Sequence, residues 1–195
     1  MLNDLSSTLS LLETRRSGRP REMIAPGPSE AEMERILGIA ARVPDHGKLF
    51  PWRFVTVAHD QRGALADLLD RALPEHDPSA LPAHYAKAHE FAHQAPSLVV
   101  VVSAPAPGHK IPEWEQQLSS GAAAMILLLA AHALVYVGGW ITGWMAYSET
   151  VRAAFCGPGE RIAGFMFLGT PGVLLEERPR APLATVARRW TPSKA

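Results

Sequence analysis

The run GAAAMILLLAAHALVYV, residues 121–137, constrains the fold more than any other feature: seventeen residues with no charged side chain and one histidine, His132. A lone bilayer crossing needs about 20 apolar residues. This run is shorter, is entered through the polar EWEQQLSS and has no second span to partner it. A helix apolar on every side is otherwise the buried centre of a folded domain or the surface where two subunits meet. The chain must therefore wrap other elements, or another copy of itself, around this segment. Its 195 residues, 47% of them hydrophobic and 19% charged, suffice for one compact domain or a tightly knit pair of halves.

Periodicity places the remaining elements. Leu2, Leu5, Leu9 and Leu12 recur at spacings of three and four, predicting one apolar stripe on a first helix that ends near Thr14. SEAE from Ser29 spells a capping box, and Met33, Ile36, Leu37 and Ala40 form the inward face of a second helix that must stop before Pro44. WRFVTV reads as a strand, with Pro51-Trp52 as its start and a core aromatic. QRGALADLLDRAL and AHYAKAHEFAHQ carry helical patterns punctuated by proline. SLVVVVS, Ser97 to Ser103, is an apolar β-branched run expected as a central strand buried on both faces. Pro112 suits the first turn of the long central helix and Gly138-Gly139 its end. A short helix is expected around Val151 to Phe155, and AGFMFLGTP reads as a last strand breaking into a turn at Gly169 to Pro171. The tail, from about residue 172 to 195, is rich in proline and arginine and is expected to leave the body extended. Helices outnumber strands without regular alternation, so the class is α+β, in a single domain over 1–195.

Lysine plus arginine balances aspartate plus glutamate at 19 each, leaving no global field to draw the chain onto nucleic acid or an anionic membrane. Neither partner is expected. The stretch RRSGRPR, with Arg15, Arg16, Arg19 and Arg21, is therefore a local feature. Guanidinium forks, the Ser17 hydroxyl and a glycine turn suit a phosphate dianion. The same residues suit a solvated basic helix end, where cations favour the C-terminal dipole. The sole cysteine, Cys156, excludes an internal disulfide, a CxxC pair and a cysteine zinc site, and is expected to be a buried apolar residue. MLNDLSSTLSLLETRR lacks the pattern of a signal peptide, so a reducing cytoplasm is the expected location.

Neither a GxGxxG turn, a GxxxxGK[ST] loop nor a GxSxG elbow occurs. HEFAH, His89 to His93, does spell H-E-x-x-H, the helical zinc motif of metal hydrolases. That chemistry needs a third ligand and a helix opening onto a cleft, whereas this segment reads as a solvent-facing connector.

Taken in order, RRSGR after an N-terminal helix, ARVPDHGKLFPWRFVTV, HKIPEWEQQLSSGAAAM, GGWITGWMAYSE and GFMFLGTP followed by ERPR resemble the nitroreductase family of FMN-dependent oxidoreductases, and within it the short, minimal YdjA-like bacterial type. The resemblance covers essentially the whole chain. It implies a mostly antiparallel or mixed central sheet flanked by helices, and a homodimer with the long helix at its interface and two FMN sites there. Arg15 and Ser17 would bind the FMN phosphate, Arg16 would lie beside the ring, and Arg19 would face N1 and O2, where a fixed cation stabilises the charge of the reduced flavin. Arg178 and Arg180 would close over the phosphate. Pro44, Asp45, His46 and Lys48 would reach the flavin held mainly by the other subunit, and Arg42 would act from its own side. The backbone of Ile141, Thr142 and Gly143 would line the other ring edge. The implied reaction is ping-pong hydride transfer from NADH or NADPH through flavin N5 to a nitroaromatic, quinone or similar small-molecule acceptor, with no side chain required as acid or base. The segment Lys48-Leu49-Phe50 departs from the polar residues many relatives carry there, and the chain leaves little room for the inserted helices of larger relatives. A specialised flavin reaction and a flavin-binding module without turnover are the other readings within this frame.

Overall fold

A computed structural model describes residues 1–192; the last three residues of the predicted tail, 193–195, lie outside them. The helices are α1 (Thr8–Thr14), α2 (Glu30–Ala40), α3 (Arg62–His76), α4 (Pro82–His93), α5 (Glu113–Ala133), α6 (Glu149–Phe155) and α7 (Leu183–Val186). The strands are β1 (Met23–Ile24), β2 (Trp52–Val57), β3 (Ser97–Ser103), β4 (Val137–Ile141) and β5 (Arg161–Pro171). All strand pairs are antiparallel, in the path β1-β5-β3-β2 with β4 also on β5. This is the α+β class expected from the sequence.

The apolar run of β3 is buried on both faces because a layer of helices covers each. Leu98, Val100 and Val102 point toward α3 and α4, where they meet Leu65, Leu69 and Phe91 together with Phe165 and Phe167 of β5. Val99 and Val101 point the other way, onto Ile36 of α2 and Ala124, Leu127 and Leu128 of α5, with Met166 and Leu168 beside them. The period of two splits one continuous apolar strand between two cores, and each buried aliphatic side chain contributes about 1.5–3 kcal/mol. Arg62, 2% exposed, ties the α3–α4 layer to the sheet by donating to the carbonyls of Val57, Ala92 and Gln94 at 3.3, 2.9 and 3.3 Å.

Four elements differ from expectation. The leucine stripe does not make a helix from Leu2: α1 starts at Thr8 behind the Ser7 cap, and only Leu11 is buried while Leu9 and Leu12 are exposed. Gly138-Gly139 does not end α5. The helix stops at Ala133, Val135 takes the left-handed turn at φ 67°, and both glycines lie inside β4. They are there for space: a Cβ on Gly138 would stand 2.6 Å from Leu128, and one on Gly139 2.8 Å from the carbonyl oxygen of Gly18. The segment carrying HEFAH is not a solvated connector, since Ala88, Phe91 and Ala92 are buried and Phe91 meets Phe165 and Phe167 edge-on. The turn expected at Gly169 to Pro171 does not form: β5 runs on to Pro171, pairing Gly169 with Val137 of β4 and Thr170 and Pro171 with Ile24 and Met23 of β1, and beyond it the tail has no regular structure until the single turn of α7.

The apolar helix α5 is covered on one side only. Ala124, Leu127, Leu128 and Ala131 are buried, while Trp114 and Leu118 are exposed and Gly121, Ala122, Met125, Ile126 and Leu129 are half-buried along one stripe. Among the described residues no helix is long and apolar enough to cross a membrane.

Candidate functional site

The basic loop after α1 is fixed at both ends. Asn3 clips Arg16, accepting from its backbone N–H at 2.7 Å through Oδ1 and donating to its carbonyl at 3.1 Å through Nδ2. Gly18 N–H donates to the carbonyl of Gly138 at 3.2 Å, and a Cβ on Gly18 would press 2.8 Å from Val137. The loop thus lies flush against β4. Within it Arg15 Nη1 donates to Ser17 Oγ at 3.3 Å.

The tail crosses this loop and adds more positive charge. Arg180 donates to the carbonyl of Arg15 at 3.2 Å, and Arg16 Nε donates to the carbonyl of Glu176 at 2.7 Å. Burial, and then the neighbouring Arg180, hold the Arg15 guanidinium below its usual range; burial, Arg178 and Arg180 do the same to Arg16. Both shifts run against the ionised form, with Glu177 the carboxylate that opposes them. The half-buried Arg15, Arg16 and Ser17 thus stand beside the exposed Arg178 and Arg180, four arginines against the Glu177 carboxylate that pairs with Arg180 at 3.0 Å, an excess of positive charge that an anion would relieve. Arg19 points outward and pairs with Glu22 at 2.9 Å. A cavity of about 280 Å³ lies between residues 16–19 and 173–176.

The exit of β4 continues the same surface. Ile141, Thr142 and Gly143, the last at φ 86°, line a cavity of about 570 Å³ that also takes in Arg21, Lys87 and Trp144. Trp144 stacks on His76 at 5.6 Å.

The second predicted group is built at the other end of α5. Ser119 Oγ donates to the carbonyl of Pro44 at 2.6 Å, and His46 Nδ1 lies 2.7 Å from Glu115 Oε2. Asp45 folds the loop by accepting from the N–H groups of Leu49 and Phe50 at 3.1 and 2.8 Å. Gly47 and Lys48 both take positive φ, at 83° and 57°. From Ser119 to His132, which abuts the first loop, is about 20 Å along the helix at 1.5 Å per residue. One chain does not bring the Arg15 loop and the Pro44–Lys48 loop together. Arg42 stands with the latter: α2 runs antiparallel to α5 and ends beside Pro44, so Arg42 is not on its own chain's Arg15 loop, contrary to expectation.

Other candidates have structural partners. His89 meets Asp70 at 2.7 Å, and His93 Nδ1 approaches the carbonyl of His89 at 2.9 Å. No group of three His, Cys, Asp or Glu placed to hold a metal occurs among the described residues. Trp52 is buried against Val43 and Ala123 as a core aromatic. Cys156 is half-buried, and burial raises its thiol pKa. Two residues of the site had no local signal in the sequence. Asn3 acts across thirteen positions, and His132, buried in the apolar run, accepts from Gly138 N–H through Nε2 at 3.2 Å.

A five-stranded antiparallel sheet between two helical layers, with a basic loop and a crossing tail at one end of an apolar helix, defines an α+β protein with a concentrated basic surface. The sequence pattern of the Nitroreductase family matches residues 12–170, and the chain belongs to that family. A Haemophilus influenzae protein provisionally named NAD(P)H nitroreductase is 37% identical over 164 residues, covering 83% of this chain and 87% of the relative. The Escherichia coli protein provisionally named NAD(P)H nitroreductase YdjA is 34% identical over 166 residues, covering 84% and 87%. Among solved structures, the nitroreductase-like protein of Bacillus cereus superposes with a TM-score of 0.79 at 19% identity, covering 94% of this chain and 96% of that one. A Desulfovibrio desulfuricans structure described as a nitroreductase in complex with FMN gives 0.70 at 21%, covering 94% and 97%.

Proposed function

We propose that the protein is an FMN-dependent NAD(P)H oxidoreductase of nitroreductase type, acting as a homodimer that shares each flavin between subunits. The observation that carries this reading is the cluster of Arg15, Arg16, Ser17, Arg178 and Arg180, whose excess positive charge fits a phosphate dianion. Family membership and the printed names of the relatives support the donor and the reaction class.

In this reading Arg15 and Ser17 hold the phosphate, Arg16 stands beside the ring, and Arg178 and Arg180 close the tail over the phosphate. Arg19 supplies a cation to the pyrimidine edge, and the backbone of Ile141, Thr142 and Gly143 lines the opposite edge. Pro44, Asp45, His46 and Lys48 come from the second subunit, and Arg42, seated with them, comes from that subunit too. When held there, FMN would supply the two-electron redox chemistry, at N5, that links NADH or NADPH to a nitroaromatic, quinone or similar acceptor. The chain's own part is to bind, to orient and to place fixed positive charge where negative charge develops. A cytoplasmic setting, where nicotinamide donors are available, belongs to the same proposal.

The visible spectrum of the purified protein tests it. Bands at roughly 370 and 450 nm that bleach on anaerobic addition of NADH or NADPH are expected for a flavin reductase of this type. Parallel double-reciprocal lines are expected for the two-step cycle. A protein that holds FMN but leaves it oxidised after both donors is a binding module, and the enzymatic reading fails. Arg15→Ala removes one charge-assisted contact and is expected to weaken FMN binding about 10- to 100-fold; an unchanged dissociation constant removes Arg15 from the phosphate site.

A further inference from the structure

We infer that His132 is the positioning residue of the anion loop, seating it through the backbone of Gly138. The inference rests on the reading of that loop as the FMN phosphate site.

Gly138 sits on β4 with both of its backbone polar groups turned away from β5. Its N–H donates to His132 Nε2 at 3.2 Å and its carbonyl accepts from Gly18 N–H at 3.2 Å. One peptide position therefore joins the last turn of α5 to the middle of the Arg15–Arg19 loop. The Gly138 Cα is walled by Leu128 and Leu168, and the neighbouring Gly139 lies against the Gly18 carbonyl oxygen. A shift of Gly138 toward or away from α5 is passed directly to Gly18, and so to Arg15, Arg16 and Ser17 beside it.

The imidazole is not explained by packing. His132 is 1% exposed, and accepting through Nε2 requires its proton on Nδ1. That N–H is buried and has no acceptor among the described residues. An unpaired buried donor is unfavourable, and an aliphatic side chain would remove it. What histidine supplies that leucine or methionine does not is an acceptor for the Gly138 N–H, which would otherwise be orphaned on the free edge of β4. The same bond requires the neutral ring, because an imidazolium would oppose N–H to N–H. Burial, and then the nearby Arg15 charge, keep it neutral, lowering its pKa to about 4. Acceptor, strand and loop form one continuous chain, and His132 touches neither flavin nor substrate in it.

The test uses the full chain with His132→Met, which fills the space without a strong acceptor, and His132→Gln, whose side-chain carbonyl can take the Gly138 N–H. Three quantities are measured: exchange of the Gly18 amide in flavin-free protein, the FMN dissociation constant, and the urea midpoint. His132→Met is expected to speed Gly18 exchange and weaken FMN about tenfold each, the worth of one hydrogen bond. His132→Gln is expected to recover most of both, whatever its midpoint. Wild-type exchange and affinity in the Met variant overturn the inference, as does equal loss in Met and Gln variants tracking the fall in midpoint. If Met fails to fold, the Gln variant decides alone: near-wild-type values support the inference and a tenfold loss in either overturns it. If the exchange results come out as expected but even the wild-type protein takes up no FMN, the seating role stands and the FMN reading fails.

Discussion

His132 sits in an apolar run whose only visible sequence signal is hydrophobicity, and its ring stays neutral where an exposed histidine would titrate. Its pKa falls from 6.5 to about 4, through burial first and the Arg15 charge second. The unfolded chain therefore binds more protons than the folded one between those values, so stability falls as pH drops from about 6.5 toward about 4. A shift of this size corresponds to a loss on the order of 3 kcal/mol across that window. Urea midpoints recorded through the window are expected to slope downward with acid in the wild type and to lose this part of the slope in His132→Met. Equal slopes would mean that His132 titrates alike in the folded and unfolded chain. Asn3 was equally illegible, since an asparagine near a terminus has no pattern that announces a clip on a residue thirteen positions away. The arginines were legible as a cluster, because four of them fall within seven residues. That Arg180 returns to Arg15 across 165 positions was accessible only through family resemblance, since loop closure over that span leaves no local trace.

Elements with strong periodicity were read correctly: α2 from its capping box and inward face, β3 from its β-branched run and β2 from its strand pattern, while β5 was read only as far as Leu168, because the pairing that carries it on to Pro171 leaves no local trace. The element that forms the wall of the anion loop was not, because Gly138-Gly139 has the local chemistry of a helix end and its true constraint is contact from three other segments. The two glycines are expected to respond differently. Ala at 138 would push on the ends of Leu128 and Leu168, which can turn aside at about 1–3 kcal/mol of global stability. Ala at 139 would stand 2.8 Å from a backbone oxygen of Gly18, and backbone yields only if the loop lifts. Gly139→Ala is thus expected to weaken FMN binding at least tenfold by displacing the loop's N–H and guanidinium donors, with a smaller change in urea midpoint than Gly138→Ala. Titration of both variants with FMN, beside their unfolding curves, separates the two effects; a reversed order would show that the loop tolerates displacement.

At the scale of the whole molecule, the two halves of the proposed site lie at opposite ends of one helix, about 20 Å apart by its rise per residue. The half-covered stripe of that helix, from Trp114 at 67% and Leu118 at 54% exposure through Met125 to Leu129, is an apolar strip running the whole distance between them. A second copy packed antiparallel on this stripe would set its Pro44–Lys48 loop beside the first copy's Arg15 loop, twice over, as a two-fold interface requires. Subunit mixing tests this arrangement without depending on any single contact. Arg15→Ala and Lys48→Ala chains are each expected to bind FMN weakly on their own. In a hybrid dimer one site collects both defects, while the other is built from an intact Arg15 loop and an intact Lys48 loop. Random exchange of equal amounts should therefore restore about one quarter of the wild-type sites, since half the dimers are hybrid and each carries one intact site. If each chain instead forms its site alone, every site keeps its own defect and mixing restores nothing. Tight-binding FMN equivalents, counted by titration before and after brief partial unfolding and reassociation, distinguish the two architectures.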